Sequence, residues 1–130
     1  IVSRTIKTYG LSEGAVGELV NPMFSSVNPA FGVYAKPDGI HLRLAAKAES
    51  RLEAEKMLAA GEASIRAALG EFIWGTDTDT AGTVIGRLLV ERGLTLAVME
   101  DFSGGTLTAG ITEIPESQSF FKGGLVACSD

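Results

Sequence analysis

Residues 94–106 constrain the fold of this chain most, because an apolar strand passes directly into an acidic, glycine-rich turn and the start of a helix. The continuous apolar run 94–99 is typical of a strand buried on both faces. Apolar residues then recur at helical spacing, at Leu107, Ile111 and Ile114. Such turns lie at the carboxyl ends of strands, where N–H groups of the next helix attract anions. The segment predicts a ligand-holding junction; the alternative is a plain turn in which Ser103 caps the helix.

Two glycines in the turn, Gly104 and Gly105, would let a ligand approach the backbone closely. Neither G-x-G-x-x-G nor G-x-x-x-x-G-K-[ST] occurs, so the sequence carries no dinucleotide-binding or P-loop fingerprint. Glu100 and Asp101 are adjacent, so their side chains alternate in direction, and no companion ligand cluster is evident. We therefore expect no metal site and no cofactor.

The turn belongs to three ordered motifs within residues 94–129. They read Leu94-Thr-Leu-Ala-Val-Met-Glu-Asp-Phe-Ser-Gly-Gly105, Ile111-Thr-Glu-Ile-Pro-Glu-Ser117 and Phe121-Lys-Gly-Gly-Leu-Val-Ala-Cys-Ser129. Together they resemble the start of the carboxyl-terminal domain of the CinA (competence/damage-inducible protein) family. The resemblance implies part of a three-layer α/β/α domain related to nicotinamide mononucleotide deamidase, a hydrolase of pyridine nucleotide salvage.

The upstream part resembles the same family. Residues 5–13, 32–35 and 39–44 are similar to the small KH-like linker domain of full CinA proteins. The resemblance implies a KH-like linker over residues 1–76 and the truncated start of the deamidase-like domain over residues 77–130. The family's large amino-terminal molybdopterin-binding-like domain is absent from this sequence, so we expect a piece of a longer CinA-type chain.

The chain departs from the family pattern at the presumed catalytic positions. Asp101 stands where the family has its nucleophilic serine, Phe102 replaces a cysteine, and Ser103 replaces a threonine. Cys128 stands at the position of a tyrosine thought to assist catalysis, and the expected lysine would lie beyond Asp130.

These departures predict an impaired or inactive hydrolase. Amide hydrolysis through serine needs an activated hydroxyl, a nearby base and donors for the oxyanion. Asp101 could attack only by way of an acyl anhydride, and Cys128 follows an apolar run with no histidine nearby in sequence. Ser103 is the nearest alternative hydroxyl. We expect the degenerate catalytic positions to be Asp101, Ser103 and Cys128.

We expect the turn to retain nucleotide binding even where catalysis is lost. The residues predicted to contact a nicotinamide nucleotide are Glu100, Ser103, Gly104, Gly105 and Thr106. Two alternatives remain open: an active nicotinamide-nucleotide amidohydrolase that uses a nearby hydroxyl, and a structural or dimerising module without catalysis. A sheet that ends early leaves an edge that demands a partner, so we expect a homo-oligomer.

Composition limits the location and partners of the chain. One cysteine in 130 residues is consistent with a reducing cytoplasm, and no apolar run is long enough for a membrane span. Residues 1–76 carry eight Lys or Arg and eight Asp or Glu, whereas residues 77–130 carry three and eight. We therefore expect a cytoplasmic protein with no membrane partner and no nucleic-acid partner.

One motif points the other way. Gly14-Ala-Val-Gly17 has the GxxG form with which KH domains clamp nucleotides. Its flanks are Glu13 and Glu18, which repel phosphate, and Ser12 is more simply the N-cap of a short helix. The sequence therefore favours a helix without RNA binding.

The remaining pattern predicts an α/β (α+β) chain. A β-α-β-β-α-β order covers residues 1–75, with residues 1–9 as an edge strand and a hairpin through Pro37-Asp38-Gly39. Ser50 opens a long helix whose core face carries Ala54, Leu58, Ile65 and Leu69, and residues 72–74 form the last strand. The polar stretch 75–80 is the domain boundary. It leads into a helix with Gly93 at its C-cap and four inward residues, Val84, Ile85, Leu88 and Leu89.

Overall fold

The computed structural model describes residues 1–127 of a chain that divides into two compact units between Thr78 and Asp79. Helices and strands are mixed in both units and the sheets are small, which is an α+β architecture. Within the described residues, no helix combines the length and apolar character that crossing a membrane requires.

The first unit is one four-stranded antiparallel sheet with two helices. Its elements are β1 (Val2–Thr8), α1 (Glu13–Leu19), β2 (Ala30–Lys36), β3 (Gly39–Ala46), α2 (Arg51–Leu69) and β4 (Ile73–Thr76). The strand order is β2-β3-β1-β4, which is the split β-α-β arrangement. The predicted β-α-β-β-α-β order is confirmed.

The prediction of an edge strand at residues 1–9 is wrong, because β1 pairs with both β3 and β4. The loose alternation of Val2, Arg4, Ile6 and Lys7 suggested an edge. In the structure Arg4 donates to Glu55 at 2.8 Å and to Glu62 at 2.7 Å, so the polar position is matched by carboxylates of α2. A paired charge is tolerated on an inner strand, whereas an unpaired one is not.

The core of this unit lies between α1, α2 and one sheet face. Eleven buried apolar residues form it: Ile6, Val16, Val20, Ile40, Leu42, Leu44, Ala46, Ala54, Leu58, Ile65 and Leu69. The predicted inner face of α2 is confirmed at all four positions. Ser50 Oγ accepts from Glu53 N at 3.1 Å, so the helix begins where the sequence predicted.

The predicted hairpin and short helix are also present. β2 and β3 pair up to Lys36 and Gly39, which leaves Pro37 and Asp38 as the two-residue turn. Ser12 Oγ accepts from the N–H of Ala15 at 3.2 Å and caps α1. The GxxG motif therefore lies inside a helix.

The second unit contains α3 (Ala81–Glu91), β5 (Leu96–Glu100), α4 (Thr106–Thr112) and β6 (Phe121–Val126), with β5 and β6 parallel. Thr80 and Thr83 cap α3 reciprocally. Ile85 was predicted to face inward but is 50% exposed. The helix instead turns Gly86 inward. A Cβ added there would lie 3.0 Å from Phe120 Cε1, so the absence of a side chain at Gly86 leaves room for the aromatic ring.

The two faces of the β5–β6 sheet differ. Gly124 lies against α4, whereas Met99 is 76% exposed and its partner Leu125 is 69% exposed. The prediction that β5 is buried on both faces is therefore wrong for the described residues. A continuous apolar run makes burial on both faces favourable, but burial also needs an element packed on each face.

Candidate functional site

Glu100 is the centre of the junction between β5 and α4. It is the last residue of β5, and it is buried with 8% of its surface exposed. Its carboxylate accepts hydrogen bonds from four donors. These are Ser103 Oγ, Leu107 N at 3.1 Å, Thr108 N at 2.8 Å and Thr108 Oγ1 at 2.5 Å.

These bonds hold the carboxylate in its ionised form. The pKa of Glu100 is lowered from 4.5 to about 2, because the hydroxyls of Ser103 and Thr108 and the two backbone N–H groups donate to the charged group. Burial acts in the opposite direction and is outweighed. Glu100 is therefore an anion built into the start of the helix.

The N–H groups of Leu107 and Thr108 do attract an anion, and this anion is the chain's own Glu100. That the turn also holds a ligand stays a prediction. Ser103 is not the N-cap: Gly105 holds that position without a side-chain bond, and Ser103 donates to Glu100 instead. The carboxylate wins because it binds two backbone donors and two hydroxyls at once.

The turn glycines are required by backbone conformation. Gly104 has φ of 65° and Gly105 has φ of 105°, values that residues with a Cβ rarely adopt. A Cβ on Gly104 would meet nothing within 4 Å, so its surroundings are open. The two glycines let the chain reverse over Glu100, and Gly104 leaves an accessible backbone surface.

The other predicted site residues lie around this turn. Asp101 is exposed and Phe102 is 98% exposed, whereas the Glu100 carboxylate next to them in sequence is buried. Thr106 is exposed, and its Oγ1 donates to Ser103 O at 2.9 Å, which reinforces the turn. Cys128 lies outside the described residues.

Two residues of the site were not predicted from the sequence. Thr108 supplies two of the four bonds to Glu100. Gly124 makes room for it: a Cβ there would lie 2.5 Å from Thr108 Oγ1 and 2.7 Å from Thr108 Cγ2. The only sequence signal was the Gly-Gly pair of the third motif, and its packing partner became visible only in the fold.

The geometry limits the chemistry of the turn. A carboxylate with a pKa of about 2 is a weak base, so Glu100 itself is poorly suited to remove the proton of the Ser103 hydroxyl that donates to it. The N–H groups of Leu107 and Thr108 already donate to Glu100 and are not available to an oxyanion. Among residues 1–127, no group of three or more His, Cys, Asp or Glu is arranged to hold a metal ion.

Comparison with known proteins assigns both units. The model for "Damage-inducible protein CinA KH domain" matches residues 3–75, and the model for "CinA C-terminal domain" matches residues 78–130. A putative competence-damage inducible protein of Moorella thermoacetica is 43% identical over 130 residues, which are 100% of this chain and 31% of that protein.

Two further relatives agree. A CinA-like protein of Synechococcus sp. is 41% identical over 127 residues, which cover 98% of this chain and 30% of the relative. A putative competence-damage inducible protein of Clostridium kluyveri is 37% identical, with 100% of this chain and 32% of the relative covered. The chain thus spans about 30% of the length of the curated relatives it matches. Because the family models match along both units, the chain belongs to the CinA family.

Proposed function

We propose that this chain is the KH-like linker and the first part of a deamidase-like domain whose turn keeps the family's shape but not its hydrolytic chemistry. The enzyme to which we relate this domain is a nicotinamide-nucleotide amidase. The observation that carries the proposal is the Glu100 network, which engages Ser103 and the first helix N–H groups in structural bonds. Asp101 occupies the presumed nucleophile position and is exposed.

The test is ammonia release from nicotinamide mononucleotide by the longest available protein that contains this chain. The expected result is no release above the buffer rate for the parent, Ser103→Ala and Asp101→Asn proteins. Release that Ser103→Ala abolishes would support the active amidohydrolase. Release that Asp101→Asn abolishes would show that the carboxylate had taken over the serine's role.

Nucleotide binding is tested separately from turnover. If the turn keeps a binding role, the open backbone around Gly104 is its accessible part. Calorimetric titration with nicotinamide mononucleotide would measure this directly, and Gly104→Ala is the informative variant, since the change strains a φ of 65°. If Gly104→Ala leaves the measured heat of nucleotide binding unchanged, the nucleotide binds elsewhere on the protein.

A structural role is the second candidate. Met99 and Leu125 are neighbours on the open face of the β5–β6 sheet, and Phe102, three residues after Met99, is also exposed. Contiguous exposed apolar side chains favour association, so a second copy of the chain is the partner that this role requires. Sedimentation equilibrium would show a dimer that Met99→Lys dissociates. A strict monomer at high concentration would contradict the role.

A further inference from the structure

The four-stranded sheet of the first unit has a second face, opposite its helices, with a composition unlike the rest of the chain. We name it the basic sheet face; it carries Thr5, Lys7, Tyr34, Lys36, His41, Arg43 and Trp74. The strand register brings them together, since Tyr34 pairs with His41 and His41 with Lys7. Gly32 pairs with Arg43, and Arg43 with Thr5.

The Tyr34 side chain leans over Gly32 on this face. A Cβ added to Gly32 would lie 2.8 Å from the Tyr34 hydroxyl and 3.0 Å from Tyr34 Cε2, so the hydroxyl end of the ring covers the glycine. Tyr34 is nevertheless 50% exposed. A ring that lies on the sheet and remains half exposed offers one face to a planar group.

Two exposed cations, Lys36 and Arg43, lie beside the Tyr34 ring. A cavity of about 190 Å³ is lined by Thr5, Tyr34, Lys36, His41 and Arg43. One N–H of Arg43 approaches Ser3 Oγ at 3.4 Å, and a guanidinium has further donors for an anion. Two carboxylates lie at the edge of this face. Asp38 Oδ1 lies 2.9 Å from His41 Nε2 without the geometry of a hydrogen bond, and Asp77 Oδ1 accepts from Thr5 N at 2.8 Å.

A second aromatic group lies on the same face. Lys7 Nζ sits 5.5 Å from the centroid of the Trp74 ring, a cation–π contact. Trp74 Nε1 is a buried donor that has no hydrogen-bond acceptor within residues 1–127. The face thus combines an exposed ring, cationic side chains and an unsatisfied donor.

Charges on the helix side of this unit are paired with one another. On the helix side, Glu55 and Glu62 of α2 pair with Arg4, and Glu62 also pairs with Arg66 at 2.7 Å. The equal numbers of basic and acidic residues in residues 1–76 are therefore compatible with a local site, here the exposed Lys36 and Arg43 beside Tyr34. The prediction of no nucleic-acid partner was based on charge summed along the sequence, which does not show where single charges lie in space.

We propose that the basic sheet face binds an unpaired nucleotide, with its base stacked on Tyr34 and its phosphate paired with Arg43 and Lys36. Aromatic rings beside cations are the elements that bind single-stranded nucleic acid, because every base has a flat face and every linkage a charge. An acidic peptide would use the cations but not the ring. The proposal concerns the first unit and does not rest on the proposed function of the second.

The experiment is fluorescence anisotropy of a labelled oligothymidylate of about ten nucleotides titrated with the full chain at low salt. Binding is expected to saturate and to weaken as salt rises. Arg43→Gln and Tyr34→Leu should each weaken it about tenfold, the loss that one stacked base or one phosphate contact gives. An abasic strand of equal length should respond to Arg43→Gln but not to Tyr34→Leu.

Matched controls separate this site from other charges and rings. Arg66→Gln removes a half-exposed cation on α2, and Tyr9→Leu removes an aromatic side chain that is 71% exposed. Gly17→Asp adds a charge to the GxxG motif, where a Cβ meets nothing within 4 Å. All three should leave the affinity unchanged.

Three results would overturn the proposal: no binding at low salt, equal losses from Arg66→Gln and Arg43→Gln, or a loss from Gly17→Asp without one from Tyr34→Leu. Competition by polyglutamate as effective as that by unlabelled oligothymidylate would show a charge-only surface and would also contradict it. Competition with thymidine monophosphate distinguishes a free nucleotide from a nucleotide within a nucleic-acid strand. Displacement by the monophosphate indicates a free nucleotide, and displacement only by the strand indicates a nucleic acid.

Discussion

Each of the two units of this chain is stabilised internally by a different kind of interaction. The first unit contains an apolar cluster of eleven residues. It also contains an ion network in which Arg4 of β1 donates to Glu55 and Glu62 of α2. In the described part of the second unit the buried apolar residues are Ile111 and Phe120, and the buried carboxylate is Glu100. A unit with few apolar contacts depends more on directional bonds, and such bonds are lost one at a time when single donors or acceptors are removed.

The difference also bears on where ligands can bind. In the second unit the sequence singles out the strand-to-helix turn, where the N–H groups of Leu107 and Thr108 already donate to the chain's own Glu100. In the first unit the sheet face that the sequence does not single out carries an open ring and cations. The conspicuous turn motif thus binds the chain's own Glu100, whereas the proposed ligand site on the basic sheet face consists of residues that are dispersed along the sequence.

The largest expected effect is that of Phe120→Ala. Phe120 is 2% exposed and packs on Gly86, so its truncation removes the largest apolar contact of the second unit. We expect a loss of about 3–5 kcal/mol in the free energy of unfolding of that unit. Hydrogen exchange of β5 and β6 amides measures it. Protection that persists in the variant would mean that polar bonds alone hold the unit.

Leu58→Ala should cost slightly less, because a large cluster redistributes the strain of one cavity. Leu58 is fully buried in α2, and we expect a loss of about 3 kcal/mol, measured by urea unfolding followed through circular dichroism. Leu52 lies on the same helix and is 69% exposed, so Leu52→Ala is the matched control. Equal losses from the two variants would contradict the assigned core face.

Gly124→Ala sharpens the role of the third motif. The new methyl group would press on Thr108 Oγ1 and Cγ2, and we expect a destabilisation of about 1–3 kcal/mol through displacement of Thr108 from Glu100. Gly110→Ala is the control, because its Cβ would meet nothing within 4 Å. Combining Gly124→Ala with Thr108→Ser, which lacks the crowded methyl, should recover part of the loss.

The smallest expected effect is on the pH dependence of stability. The folded pKa of Glu100 lies below its unfolded value of 4.5, so its contribution is complete above that value and is lost as pH falls toward about 2. Glu100→Gln should remove this dependence from the melting temperature of the second unit. Glu62→Gln is the control, since the pKa of Glu62 is also lowered, by its bonds to Arg4 and Arg66, but in the first unit. Identical acid limbs in the parent and Glu100→Gln proteins would refute the assignment.

Local patterns predicted the elements well, and failures arose where packing across the chain mattered. The inner face of α2 and the hairpin at Pro37-Asp38 follow from spacing and turn chemistry, which neighbouring residues determine. The position of β1 between two strands and the inward turn of Gly86 depend on residues far along the sequence. No periodicity contains that information.

The same division applies to the sites. The sequence by itself determined the α+β class, the order of elements in the first unit and membership of the CinA family. Only the tertiary structure decided that Glu100 occupies the helix start and that Tyr34 and Arg43 share a face. The physical reason is that hydrogen-bond competition and strand register depend on distances in space, whereas composition and spacing record only distances along the chain.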